Sequence, residues 1–174
     1  MRSALRRIQD TVFLCLSLLA LAILFSAPAI AQEELTYFGD GPYRIMVVAN
    51  GRVVHADGGG DRLISTRYQV LDEYSSFYIA TTGDGVSEIY VRATDRHWHV
   101  DGNGDRLVST RYQPHDAFTR FRIYKMSDRL GGYRIQVVAT GRYLHEDGLN
   151  DRLLSTRYQV DDAFSRFRIV RHDP

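Results

Sequence analysis

Three histidines in this chain are each followed two positions later by an aspartate: His55 and Asp57, His99 and Asp101, His145 and Asp147. Four residues beyond each aspartate comes an Asp-Arg pair, as Asp61-Arg62, Asp105-Arg106 and Asp151-Arg152. Arg52, Arg96 and Arg142 precede these groups, and Arg67, Arg111, Arg157 with Gln69, Gln113, Gln159 follow them. Imidazole, carboxylate and guanidinium in one short segment can hydrogen-bond a hydroxyl-rich ligand, or they can bond one another and define a turn. Both readings stay open on residue types alone.

Other chemistry finds less support. Asp101-Gly-Asn-Gly-Asp105 spaces oxygen ligands at alternate positions, as a calcium loop does. Gly59 and Leu149 take the middle position in the other copies, and no glutamate follows at the distance a bidentate ligand needs. His97 and His99 flank Trp98 without a third ligand for a transition metal, and both read as strand-surface histidines. No metal is expected. Gly-x-Ser-x-Gly and His-Glu-x-x-His motifs are absent from the sequence, and threefold repetition of every candidate argues against one asymmetric catalytic centre. No catalytic residue, cofactor or enzymatic activity is expected.

The element that must position these groups is a phrase of nine residues. Asp61 to Gln69 reads Asp-Arg-Leu-Ile-Ser-Thr-Arg-Tyr-Gln, and it returns as Asp105 to Gln113 and as Asp151 to Gln159. Only one position varies, as Ile64, Val108 and Leu154. The copies start 44 and then 46 residues apart, a period that signals a repeat architecture.

Ahead of the repeats stands an export-type leader. Arg2, Arg6 and Arg7 precede an apolar run from Thr11 to Ile30, and Ala29-Ile30-Ala31 supplies a small-x-small site. That layout predicts a secretory signal peptide over residues 1–31 and a secreted or periplasmic protein. The single cysteine, Cys15, lies in the leader, so the mature chain is expected to hold together without disulfides. Of 22 basic and 21 acidic side chains, three arginines and Asp10 fall in the leader. The remainder carries a net charge of about −1, which offers no electrostatic case for nucleic acid or, after cleavage, for a membrane.

After a polar lead-in over 32–42, each repeat reads as four strands. The first is expected over Tyr43–Ala49, Ser87–Ala93 and Tyr133–Ala139. One face is fixed (Ile45, Ile89, Ile135; Val47, Val91, Val137; Ala49, Ala93, Ala139) and the other varies freely. That period of two marks a half-buried strand. The second strand runs Arg52–Asp57, Arg96–Asp101 and Arg142–Asp147, with Val54, Trp98 and Leu144 inward and the histidines on the opposite side. Glycine- and asparagine-rich hairpin loops follow. The repeated phrase supplies the third strand, with Leu63, Leu107 and Leu153 packing. A loop carrying Asp72, Asp116 or Asp162 leads to the fourth, which contains Phe77, Phe121, Phe167 and Ile79, Ile123, Ile169.

Twelve strands in three units of four suit an all-β trefoil, with a six-strand barrel capped by three hairpins, over about 43–86, 87–132 and 133–174. Gly141-Arg-Tyr-Leu144 with Ser165-Arg-Phe-Arg-Ile169 resembles the strand signature of fascin and hisactophilin-type β-trefoils. Gly51-Arg-Val-Val54 with Phe77-Tyr-Ile79, and Arg96-His-Trp98 with Phe121-Arg-Ile123, fit the same frame. The likeness spans Tyr43 to about Arg171 and implies the fold, while trefoils as a class host unrelated functions. Ricin-type lectins carry a Gln-x-Trp near each repeat end, where this chain has Ser-Phe-Tyr or Arg-Phe-Arg. Tyr143-Leu-His145 and Asp162-Ala-Phe164 are similar to short pieces of an arabinose-binding trefoil family.

Two functions are therefore expected in competition. One is an exported, monomeric, non-catalytic module that binds glycan through up to three related sites of His, Asp and Arg. The other is a protein-interaction or structural module of fascin-like type, with an extracellular or envelope protein as partner.

Overall fold

The protein is described by a computed structural model that covers residues 33–39, 41–60, 63–102, 107–112, 116–147 and 152–172. Thirteen strands form: β1 (Glu33–Leu35), β2 (Pro42–Val47), β3 (Val53–Ala56), β4 (Ile64–Arg67), β5 (Phe77–Thr81), β6 (Val86–Val91) and β7 (Arg96–Val100), then β8 (Val108–Arg111), β9 (Phe121–Met126), β10 (Tyr133–Val137), β11 (Tyr143–Glu146), β12 (Leu154–Arg157) and β13 (Phe167–Arg171). Six of them close a ring by antiparallel pairing, β2–β5–β6–β9–β10–β13 and back to β2. Closure leaves the barrel wall without open edges. Ile45, Val47, Ile89, Val91, Ile135, Val137, Phe77, Phe121 and Phe167 alternate inward and are fully buried, which is what the period of two requires.

The remaining hairpins, β3–β4, β7–β8 and β11–β12, cap one end of the barrel. Isolated bridges join them around the threefold axis, from Leu63 to Ser109, Leu107 to Ser155 and Leu153 to Ser65. Trp98 of β7 is fully buried, edge-on to Phe77 and to Phe121 of the barrel. In the repeated phrase it is the variable position, Ile64, Val108 and Leu154, that is fully buried, whereas Leu63 is exposed. The expectation that the invariant leucines supply the packing is corrected accordingly.

Three further expectations change. The lead-in is not merely polar: β1 adds to β9 in register Glu33 to Met126, and Glu33 reaches Arg134 at 2.6 Å. The first strand of each repeat ends at Val47, Val91 and Val137, so Ala49 and Ala139 are exposed and do not extend the inner face. The chain turns there because the Gly51 and Gly141 amides reach back to Val47 and Val137. Gly51, Asp95 and Gly141 take the left-handed region that this turn needs, at φ of 70, 56 and 68°. Finally, β3 is buried on both sides, because a loop covers the face expected to be wet.

Candidate functional site

That covering loop contains a short 3₁₀ turn in each repeat, Glu73–Ser75, Ala117–Thr119 and Ala163–Ser165, capped by Asp72, Asp116 and Asp162. An aspartate is suited to the cap because its carboxylate accepts the turn's unpaired amides. The turn lays Tyr74, Phe118 or Phe164 about 6 Å from the ring of His55, His99 or His145. The three histidines are consequently buried, and the surface placement expected for His99 is overturned.

Each imidazole is a bridge. His55 Nδ1 lies 3.0 Å from Asp57 and its Nε2 3.2 Å from the capping Asp72. His99 repeats this with Asp101 and Asp116, both at 3.2 Å. His145 keeps Asp162 at 3.3 Å, while Asp147 stands at 3.4 Å, within ion-pair range but outside hydrogen-bond geometry. A ring between two carboxylates donates to both only when both nitrogens carry protons.

The hairpin aspartates are tied further. Asp57 accepts from Ser65 at 3.0 Å and Arg67 at 2.6 Å, Asp101 from Ser109 at 3.2 Å and Arg111 at 2.8 Å, and Asp147 from Arg157 at 2.6 Å. Burial acts to raise the Asp101 carboxyl, but the bonds and charge of Arg111, with help from His99 and Ser109, outweigh it and hold the group below its ordinary 3.8. Hairpin, strand and 3₁₀ turn are thus stitched at one point in every repeat.

The structure therefore brings His55, Asp57, His99, Asp101, His145 and Asp147 together with Arg67, Arg111 and Arg157, and their nearest partners are one another. Arg152 serves the junction between repeats instead, where its carbonyl accepts the Thr66 amide at 2.9 Å. Asp61, Arg62, Asp105, Arg106 and Asp151 lie outside the described residues, and with them the calcium-like loop. Among the described residues no group of His, Cys, Asp or Glu side chains is arranged to hold a metal ion.

Sequence reasoning missed three sets of residues. Asp72, Asp116 and Asp162 were read as loop residues, although each follows its histidine by seventeen positions. Glu146 is fully buried where the other repeats have Ala56 and Val100. It accepts from Asn50 at 2.6 Å and from Thr66, and Arg52 lies 3.5 Å away. The misfit of a charge within an apolar column was visible in the aligned repeats. The third set is Tyr68, Tyr112 and Tyr158, at the end of the repeated phrase and 60, 66 and 64% exposed.

These tyrosines are exposed at the end of β4, β8 and β12. Arg52 lies over the Tyr68 ring at 4.3 Å, and Arg142 lies over Tyr158 at 5.7 Å. Beyond them Gln69 and Gln159 adopt left-handed backbone, at φ of 54 and 52°, so the chain turns sharply and leaves the ring at the surface. Each repeat presents an aromatic ring, a half-exposed arginine and two partly exposed carboxylates within a few residues. That set combines an apolar face with hydrogen-bond donors and acceptors.

No protein-family model matches the sequence, and no curated protein matches it. Solved structures do. A designed threefold-symmetric protein, ThreeFoil, aligns with a TM-score of 0.68 at 13% identity, over 75% of this chain and 99% of its own. A ricin B-like lectin from Macrolepiota procera, solved with lactose, aligns at 0.66 and 16% identity over 79% of this chain and 100% of its own. An exo-β-1,3-galactanase from Clostridium thermocellum aligns at 0.70 and 14% identity, over 78% of this chain and 31% of its own. At such identities the likeness shows the fold, which is a β-trefoil.

Proposed function

We propose that the chain is an exported, non-catalytic carbohydrate-binding module with three related sites, built around Tyr68, Tyr112 and Tyr158. The observation that carries this reading is an exposed tyrosine kept in all three repeats, where core packing does not explain it. A tyrosine face stacks on the C–H face of a sugar ring, while Arg67, Arg111 or Arg157 and the neighbouring aspartates take its hydroxyls. The buried histidines act indirectly by holding the two carboxylates of each site in place. Lectin structures among the matches support the ligand class, and the leader supports export.

Sites of this kind are shallow and individually weak, and three on one scaffold gain avidity on a polymeric glycan. A glycan array probed with the purified protein is expected to show a polysaccharide signal. Tyr158→Ala is expected to weaken that signal, and Tyr68→Ala/Tyr112→Ala/Tyr158→Ala to remove it. An array without signal, or a triple variant that binds like the parent, would sink the reading. A protein retained from envelope extract by a chain that ignores the array would establish the fascin-like, protein-binding alternative instead.

A further inference from the structure

One stretch of barrel wall breaks the threefold pattern. Cross-strand register sets Tyr78 of β5 opposite Tyr90 of β6, and Tyr90 opposite His97 of β7. Three rings therefore stand in a row across three adjacent strands. Their centroids are 5.4 and 5.5 Å apart, with planes tilted by 32 and 35°. At the equivalent places the wall between the second and third repeats has Arg122, Gln136 and Tyr143, and the wall between the third and first has Arg168, Met46 and Val53. Two walls of the same barrel form without such a row, so the fold does not require it.

The row borders a cleft. Tyr78 and Tyr90, with Ile79 and Ala80, enclose about 230 Å³ against the backbone of Gly39 and Gly41. A side chain at Gly39 would meet nothing within 4 Å, whereas one at Gly41 would stand 3.0 Å from Arg171 Nε, so this wall is open main chain at Gly39 and carries a guanidinium at Gly41. Glu88 lies on the same face of β6, two residues before Tyr90, with a carboxylate oxygen 3.4 Å from His97 Nδ1. An apolar floor with a few convergent polar groups at its edge is the composition of a ligand cleft.

We infer that this face is a second, single-copy glycan site, separate from the threefold tyrosines, which takes three consecutive pyranose units of an extended, neutral β-linked oligosaccharide. Rings on neighbouring strands repeat at about 4.8 Å, close to the length that one pyranose adds to such a chain. Each sugar lays its C–H face on one ring, and its hydroxyl edge meets Glu88 or the main chain of Gly39 and Gly41. Glu88 at one edge and the Arg171 guanidinium beside Gly41 oppose one another in sign, so neither an acidic nor a basic sugar is favoured over a neutral one. The choice of ligand class rests on the carbohydrate reading above.

The test is calorimetric titration of the purified protein with cello- and xylo-oligosaccharides of one to six units. Affinity is expected to rise by about tenfold per unit from one to three and then level, as aromatic contacts add. Tyr78→Arg/Tyr90→Gln installs the Arg122 and Gln136 pair of the wall between the second and third repeats and is expected to keep the parent's melting temperature while losing the length dependence. Tyr90→Phe is expected to retain it. The Tyr68/Tyr112/Tyr158 alanine triple is expected to leave it intact. Length dependence that survives in the Tyr78→Arg/Tyr90→Gln variant, or vanishes in the alanine triple, would overturn this site and leave the threefold reading standing. If no oligosaccharide binds here and the glycan array is also silent, both proposals fall.

Discussion

At the scale of the residue, the buried histidine is the pivot of each repeat, and its loss has a definite consequence. His99→Ala removes the bridge between Asp101 and Asp116 and leaves two carboxylates facing a void. Losing a hydrogen-bonded bridge of this kind costs about 1–3 kcal/mol, and the unfolding free energy from urea titration is expected to fall by that amount. His55→Ala is expected to behave alike, whereas exposed Tyr112→Ala is expected to stay within about 0.5 kcal/mol of the parent. Acid sensitivity follows from the same point. The folded Asp101 carboxyl is held below 3.8, so the stability it contributes is present above that pH. It is lost as pH falls through the lower folded value. Melting temperatures of the parent and Asp101→Asn are expected to differ near neutrality and to converge below about pH 4.

At the scale of the element, the junction between the first and third repeats depends on one buried glutamate. Glu146→Val copies Val100 of the second repeat, yet it removes the acceptor of Asn50 and the counter-charge of Arg52, which keeps only its bonds to Thr66. Breaking a buried pair from one side costs about 3–5 kcal/mol. Adding Asn50→Thr, which copies Thr94 and Thr140, is expected to restore part of that loss, and denaturant unfolding of the two singles and the double gives the coupling directly. A second element-scale test concerns entry into β10. A Cβ on Gly132 would stand 2.8 Å from the Phe167 carbonyl, and φ there is +77°. Gly132→Ala is expected to cost about 2 kcal/mol or more, since the left-handed penalty of about 1–2 kcal/mol is joined by a main-chain clash.

At the scale of the whole molecule, closure makes the repeats one cooperative body: β6 pairs with β9, and β13 returns to β2. Calorimetry is expected to show a single transition with matching van't Hoff and calorimetric enthalpies. Binding is a whole-molecule property as well. With 22 basic and 21 acidic side chains nearly in balance and the proposed sites made of paired charges, glycan affinity is expected to change little between 50 and 500 mM salt, unlike contacts that neutralise a polyanion.

How much of this was legible in the sequence follows from which interactions are local. The fold was readable because Ile45, Ile89 and Ile135 recur at a fixed phase and because the nine-residue phrase occurs three times. Alternation and repetition are properties of a one-dimensional string, and they determine strands, hairpins and the count of three. The chemistry of His55, His99 and His145 was not readable in the same way. Strand periodicity places them opposite Val54, Trp98 and Leu144, but whether that side is wet depends on a loop seventeen residues further on. Only the folded chain brings Asp72, Asp116 and Asp162 over the ring. Tertiary structure buried the three candidate histidines against the capping aspartates, and it left Tyr68, Tyr112 and Tyr158 exposed to solvent. By itself, then, the sequence determined a triplicated all-β chain with repeated polar hairpins. Which side of each hairpin meets water was decided in three dimensions, because burial is a property of what packs above a residue and not of the residue itself.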